Sequence, residues 1–201
     1  MRKAGILILS ALALALAIGC GGSSTTPPAT STAGGGNQKT PAAAMTPATM
    51  TMTSSAFAAG APIATKYTCD GEGVSPPLQW DSPPSVTQSL ALVVDDPDAP
   101  SGTFVHWVIY GLPPSQRSLP EGVSTDEMPA TGGVNGQNGA GKLGYTPPCP
   151  PSGVHRYFFR LYALDVNLNA TPGWTKDELL QAMSGHVLAQ AELMGTYSRG
   201  Q

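Results

Sequence analysis

An apolar run, Leu90 to Val94, leads into Asp95-Asp-Pro-Asp-Ala-Pro-Ser-Gly-Thr-Phe-Val-His106-Trp-Val-Ile-Tyr-Gly-Leu112. This pattern predicts two strands, 88–95 and 103–110, joined by a turn that Pro97 and Pro100 stiffen. Side chains alternate between the two faces of a strand. His106 is therefore expected to share a face with Phe104, Val108 and Tyr110. Asp95, Asp96 and Asp98 fall where the first strand ends. An acid fixed at a strand end and a histidine on the neighbouring strand point to one small polar pocket. A second stretch, His155-Arg-Tyr-Phe-Phe-Arg-Leu-Tyr-Ala-Leu164, supplies its other wall. There His155, Tyr157, Phe159 and Leu161 share one face, and Arg156, Phe158, Arg160 and Tyr162 the other. A strand with large groups on both faces belongs inside a layered, mainly β sandwich-like fold.

The flanking chain sets the domain limits. Arg2 and Lys3 precede a short apolar stretch, Ile6 to Ile18, which ends Leu16-Ala-Ile-Gly-Cys20. The stretch is too short for a stable membrane span and reads as a cleaved leader, 1–19. Its end resembles a bacterial lipobox, which implies lipidation of Cys20. The expectation is a lipid-anchored, extracytoplasmic protein on a bacterial membrane, in the periplasm or at the cell surface. From Cys20 to residue 53 the chain is rich in Gly, Ser, Thr, Pro and Ala, and is expected to be a tether. Met45, Met50 and Met52 fall there or at its end. Thioethers suit Cu(I), but the plainer reading is compositional drift. The folded domain is expected over 54–201. Charged residues make up 11% of the chain and the net charge is -3, which leaves no basic footprint for nucleic acid.

Cys69 and Cys149 remain once Cys20 is set aside. In an oxidising compartment they read as a disulfide, with two separate buried thiols as the alternative. Trp80 is expected in the core. From Pro113 to Tyr145 periodicity is low, and 132–141 reads as a glycine-rich surface excursion without the lysine-serine end of a phosphate-binding loop. Thr175-Lys-Asp-Glu178 is a capping box. Leu179, Met183, Val187 and Ala191 recur every four residues and predict C-terminal helices divided at Gly185, with a short last strand at 195–197. His186 falls on that stripe and is expected to be structural.

These motifs carry a family resemblance. Asp96-Pro-Asp-Ala-Pro-Ser101, His106-Trp107 and Gly153-Val-His-Arg-Tyr157 resemble the two signature regions of the phosphatidylethanolamine-binding protein family. Cys69-Asp-Gly, Ser75-Pro-Pro-Leu-Gln-Trp80, Pro148-Cys-Pro-Pro151 and Gly185 to Tyr197 resemble its bacterial YbhB/YbcL Raf-kinase-inhibitor-like branch. The resemblance implies a β-sandwich-like fold with a few peripheral helices and a small anion-binding pocket. Asp96, His106 and His155 would line that pocket, and Tyr157 and the backbone around Pro148 would help close it. Where the family often has glycine, this chain has Thr146 and Pro147, which narrows the mouth or removes an N–H donor.

The expected function is non-catalytic binding of a small anionic or phosphorylated ligand, of the phosphate or phospholipid-headgroup kind, with no cofactor. Protonated imidazoles donate from both nitrogens, so two of them facing one cavity hold an anion. Other readings use the same residues. Asp96, His106 and His155 match a facial metal triad in type. Ser101 beside the acids admits a hydrolase, although no Gly-x-Ser-x-Gly elbow is present. Some members of the family inhibit kinases or proteases, which makes a protein-interaction module the alternative of a third class.

Overall fold

The computed structural model describes residues 46–168 and 171–200. The leader, Cys20, Met45 and most of the tether lie outside them. In chain order the strands are β1 (Ala48–Thr49), β2 (Met52–Thr53), β3 (Leu78–Trp80), β4 (Ser89–Asp96), β5 (Phe104–Leu112), β6 (Ser118–Leu119), β7 (Val134–Asn135), β8 (His155–Leu164) and β9 (Val187–Tyr197). Among the described residues one α-helix, α1 (Lys176–Met183), is present, and it precedes β9.

A six-stranded sheet runs β1-β9-β8-β4-β5-β7, and a three-stranded sheet runs β2-β3-β6. All pairings are antiparallel except β1 with β9. The larger sheet is covered on both faces. Leu90, Leu92, Val94, Phe159 and Leu161 pack on one side with Met52, Leu78, Trp80 and Leu119 of the smaller sheet. Ala91, Val93, Val108 and Tyr110 pack on the other with Leu179 and Met183 of α1. This is why β4 is a continuous apolar run, buried at every position. Each fully buried Leu or Val contributes roughly 1.5–3 kcal/mol relative to its exposed state.

The mainly β architecture and the two long strands of the opening motif stand as expected. Three readings change. First, the fold begins before residue 54. Met50 and Met52 are core residues, Met50 N–H donates to the Gln190 carbonyl at 2.8 Å, and Met52 lies opposite Trp80. Two-residue strands show no period, so composition alone assigned them to the tether. Second, the segment after α1 is strand, not helix. A repeat of four residues is also two strand periods, so Val187 and Ala191 fit either element. Gly185 at φ +81° ends the helical path, and burial of Ala189, Ala191 and Leu193 then alternates. His186 accordingly sits in the turn, where its Nδ1 lies 2.8 Å from the exposed Asp165 carboxylate. Third, 132–141 is a surface excursion only in part: Gln137 and residues 139–141 are exposed, but Val134, Asn135, Gly136 and Asn138 are buried. Asn135 is fully buried, accepts from Trp107 Nε1 at 3.0 Å, and donates to the carbonyls of Ser124 and Asp126. Polar bonds do there what apolar periodicity does elsewhere, so the segment hides from a hydrophobic pattern.

Candidate functional site

The site lies at the end of the large sheet where β4, β5 and β8 come together. Along β4 and β5 the register runs Val93↔Val108, Val94↔Trp107, then Asp95↔Val105 and Asp96↔Phe104. One residue of β5, His106, is left over as a bulge between Val94 and Asp95. The bulge turns His106 away from the face of Val108 and Tyr110. Those two pack toward α1, whereas His106 meets Phe104 and Tyr157 edge-on, at ring-centroid distances of 4.9 and 5.1 Å. A strict alternation places His106 on the wrong side of the sheet, and the extra residue explains the difference.

Asp96 and His155 form the centre. Asp96 is 3% exposed and His155 6%. The His155 Nδ1 lies 2.7 Å from Asp96 Oδ2, and Asp96 Oδ1 accepts the backbone N–H of Asp98 at 2.8 Å. The Pro97 turn thus folds back onto the carboxylate that orients the ring. Asp98 extends the arrangement. It accepts Arg156 Nε at 2.8 Å, Nη2 at 2.7 Å and the backbone N–H at 3.0 Å, which clamps the turn to the start of β8. The guanidinium holds the Asp98 carboxyl down at about 2. Asp95, one position earlier, points to the opposite face and pairs with Arg160 at 2.7 Å and with Lys176.

His106, 4% exposed, lies 2.7 Å through Nδ1 from the Thr146 carbonyl. A carbonyl only accepts, so Nδ1 carries the proton, and in the neutral ring Nε2 is an acceptor. Burial pulls the His106 pKa below its ordinary value, against the opposing effects of the Thr146 carbonyl and the Asp96 carboxylate. Among the described residues neither histidine Nε2 has a protein partner, and neither belongs to the sealed, unpaired polar atoms. Both imidazoles line one cavity of about 220 Å³.

The remaining walls are Ala99 and Pro100 of the turn, Phe104, and the loop Thr146, Pro147, Cys149, Pro150 and Pro151. That loop is fixed by a disulfide between Cys69 and Cys149, whose Cα atoms are 5.4 Å apart. The Cys69 N–H also donates to the Pro148 carbonyl at 3.0 Å. Asp96, His106 and His155 therefore converge as expected from the sequence. Tyr157 and Pro148 do not line the cavity. Tyr157 is fully buried behind His106, its hydroxyl pKa raised chiefly by burial, and its oxygen has no protein partner. Pro148 is buried, and the residues on either side of it, Pro147 and Cys149, form the wall. Sequence reasoning does not single out Phe104 or the Asp98–Arg156 clamp as site residues, although it sets Phe104 on the face of His106 and Asp98 among the acids. Ser101 is exposed in the turn and is not a wall residue. Among the described residues no three His, Cys, Asp or Glu side chains are grouped to hold a metal ion.

Comparison with known proteins adds to this geometry. The family model described as phosphatidylethanolamine-binding protein matches residues 53–198. A UPF0098 protein of Methanothermobacter thermautotrophicus is 53% identical over 151 residues, covering 75% of this chain and all of that one. The crystal structure of a phosphatidylethanolamine-binding protein homolog from Chlamydia trachomatis superposes with a TM-score of 0.70 at 47% identity, over 75% of this chain and 98% of the other. Escherichia coli YbcL, described as a new member of the mammalian family, does so with a TM-score of 0.69 at 29% identity, over 74% and 98% of the two chains. The protein belongs to the phosphatidylethanolamine-binding protein family.

Proposed function

We propose that this domain binds, without converting it, a small anionic or phosphorylated ligand of the phosphate or phospholipid-headgroup kind, in the cavity between Asp96, His106 and His155. The observation that carries this reading is the pair of buried imidazoles. Each is oriented through Nδ1 by a protein acceptor, and each leaves Nε2 free toward the same small cavity. Rings held this way need no reorganisation to meet a ligand oxygen, which lowers the cost of binding. The family supports a binding role, since its members carry the name of a ligand rather than of a reaction. The leader and the lipobox-like end at Cys20 support display of the domain outside the cytoplasm, tethered to a bacterial membrane by lipid.

The test is calorimetric titration of the full-length protein with inorganic phosphate and with phosphoethanolamine near about pH 6, where unperturbed imidazole begins to charge, repeated on His155→Ala. Saturable heat that the substitution abolishes is the expected result. Absence of heat with both ligands, or heat unchanged in His155→Ala, removes the cavity as the binding site.

A further inference from the structure

The cavity is rich in acceptors and poor in donors. Asp96 brings a carboxylate whose two oxygens each take one protein donor and keep lone pairs to spare. His106 brings the bare Nε2 of a ring whose proton is held on Nδ1 by the Thr146 carbonyl. No arginine or lysine is among the wall residues. The Arg156 guanidinium is engaged by Asp98 through two hydrogen bonds, from Nε at 2.8 Å and from Nη2 at 2.7 Å. The loop from Thr146 to Pro151 is also short of backbone donors. Pro147, Pro148, Pro150 and Pro151 have no N–H, and the Thr146 N–H donates to the His106 carbonyl at 2.8 Å, which leaves the Cys149 N–H as the one backbone donor this loop can offer. The Thr146 hydroxyl already accepts from Asn138 at 2.7 Å and has one proton to give. His155 gives a proton through Nε2 only when its ring is charged.

From this inventory we infer that the cavity selects a tetrahedral oxyanion that still carries an O–H, a hydrogen phosphate or a phosphomonoester monoanion, over one with no proton to give, such as sulfate or a phosphodiester. The inference rests on the anion-binding reading above and narrows its ligand. A ligand O–H meets Asp96 or His106 Nε2, while the remaining ligand oxygens accept from His155 and Thr146. A ligand without that proton sets a lone pair against a lone pair, next to a buried carboxylate. A site built to pair with a ligand hydroxyl penalises the analogue that lacks it, because buried polar groups are then left unpaired. The phosphate of an intact phospholipid is a diester. The same chemistry therefore favours free phosphate or a released monoester headgroup over the lipid itself.

The experiment is calorimetric titration of the full-length protein at about pH 6, where unperturbed imidazole begins to charge, with inorganic phosphate, sulfate and dimethyl phosphate. Phosphate keeps an O–H in both of its forms at that pH. Sulfate is a dianion without one, and dimethyl phosphate a monoanion without one, so charge and proton are separated. The expected result is that phosphate binds at least about tenfold more tightly than either. The gap over sulfate should narrow in Asp96→Asn and in His106→Gln, each of which replaces an acceptor with an amide able to donate; thermal unfolding confirms that each variant is folded. The wild-type comparison stands alone if either variant fails to fold. Equal affinity for phosphate and sulfate overturns the inference while leaving anion binding intact. Equal affinity for phosphate and dimethyl phosphate also overturns it and points to an esterified headgroup. No binding of any of the three overturns both this inference and the reading beneath it.

Discussion

His106 is buried at the bulge of β5, donates its Nδ1 proton to a backbone carbonyl, and is held below its ordinary pKa chiefly by loss of solvent. In the unfolded chain the same ring titrates near about 6.5. Between the depressed folded value and that unfolded value, the unfolded chain carries a proton that the folded chain does not. Stability therefore rises with pH across this window. The contribution is complete above about pH 6.5 and is lost as the pH falls. Asp98 acts in another range. Its carboxyl, held at about 2 by Arg156, contributes above its unfolded value of 3.8 and loses that contribution as the pH falls from there toward 2. The two residues separate on the pH axis. The prediction is that the thermal midpoint falls between about pH 7 and pH 5, and that His106→Gln flattens this slope while leaving the acid limb below it. An unchanged slope in His106→Gln would remove His106 as its source.

β7 shows how a two-residue strand can matter as much as a long one. It pairs with β5 through Asn135 and Val134, and the next residue, Gly136, donates its N–H to the Val108 carbonyl at 2.8 Å. A Cβ at Gly136 would lie 2.3 Å from the Trp174 carbonyl oxygen and 2.7 Å from Val108 Cγ1. Backbone on one side and buried β5 on the other leave no room to yield. Gly136→Ala is therefore expected to cost about 1–3 kcal/mol, as overpacked core positions do, read as a lower denaturant midpoint at unchanged slope. A midpoint equal to wild type would mean that β7 shifts freely on β5. The same contrast explains what sequence could show. β4, β5 and β8 were legible because they are long and their apolar groups alternate or run on without a break. The start of α1 was legible because its capping box is a local chemical signature, present in the structure as reciprocal Thr175–Glu178 bonds. β1, β2 and β7 carry too few residues to show a period, and a four-residue repeat did not separate β9 from a helix. At the site Asp96, His106 and His155 were legible from acid and histidine at strand ends. The inward turn of His106 was not, since a bulge inserts one residue without any mark in the residue types.

The molecule places its cavity where three buried strands end, and closes it with a loop that the sheets alone do not hold. Each wall reaches back to a different part of the chain. The turn 97–100 is bound to β8 by Asp98 and Arg156, and the loop 146–151 is bound to the segment between β2 and β3 by Cys69–Cys149. The bridge spans a sequence separation of 80, so in the chain-entropy model it stabilises the fold by about 4 kcal/mol. It is also open to solvent, with Cys149 exposed and Cys69 half-buried. Two bonds next to it survive its removal: the Cys69 N–H to the Pro148 carbonyl, and the Tyr145 hydroxyl to the Tyr67 carbonyl at 2.8 Å. The layered core does not depend on the bridge, because its apolar contacts lie in the two sheets and α1. The double variant Cys69→Ser, Cys149→Ser should therefore fold, with a lower urea midpoint and up to about 4 kcal/mol less stability. It should also bind phosphate more weakly, because the same loop carries the Thr146 carbonyl that sets the His106 tautomer. Urea unfolding and phosphate titration on one preparation read the two effects together. Lost stability with full phosphate affinity would show that the two backbone-directed bonds suffice to hold the wall. Unchanged stability would show that the bridge closes no entropy-rich loop in the unfolded chain, and that the sheets bring loop 146–151 to the cavity by themselves.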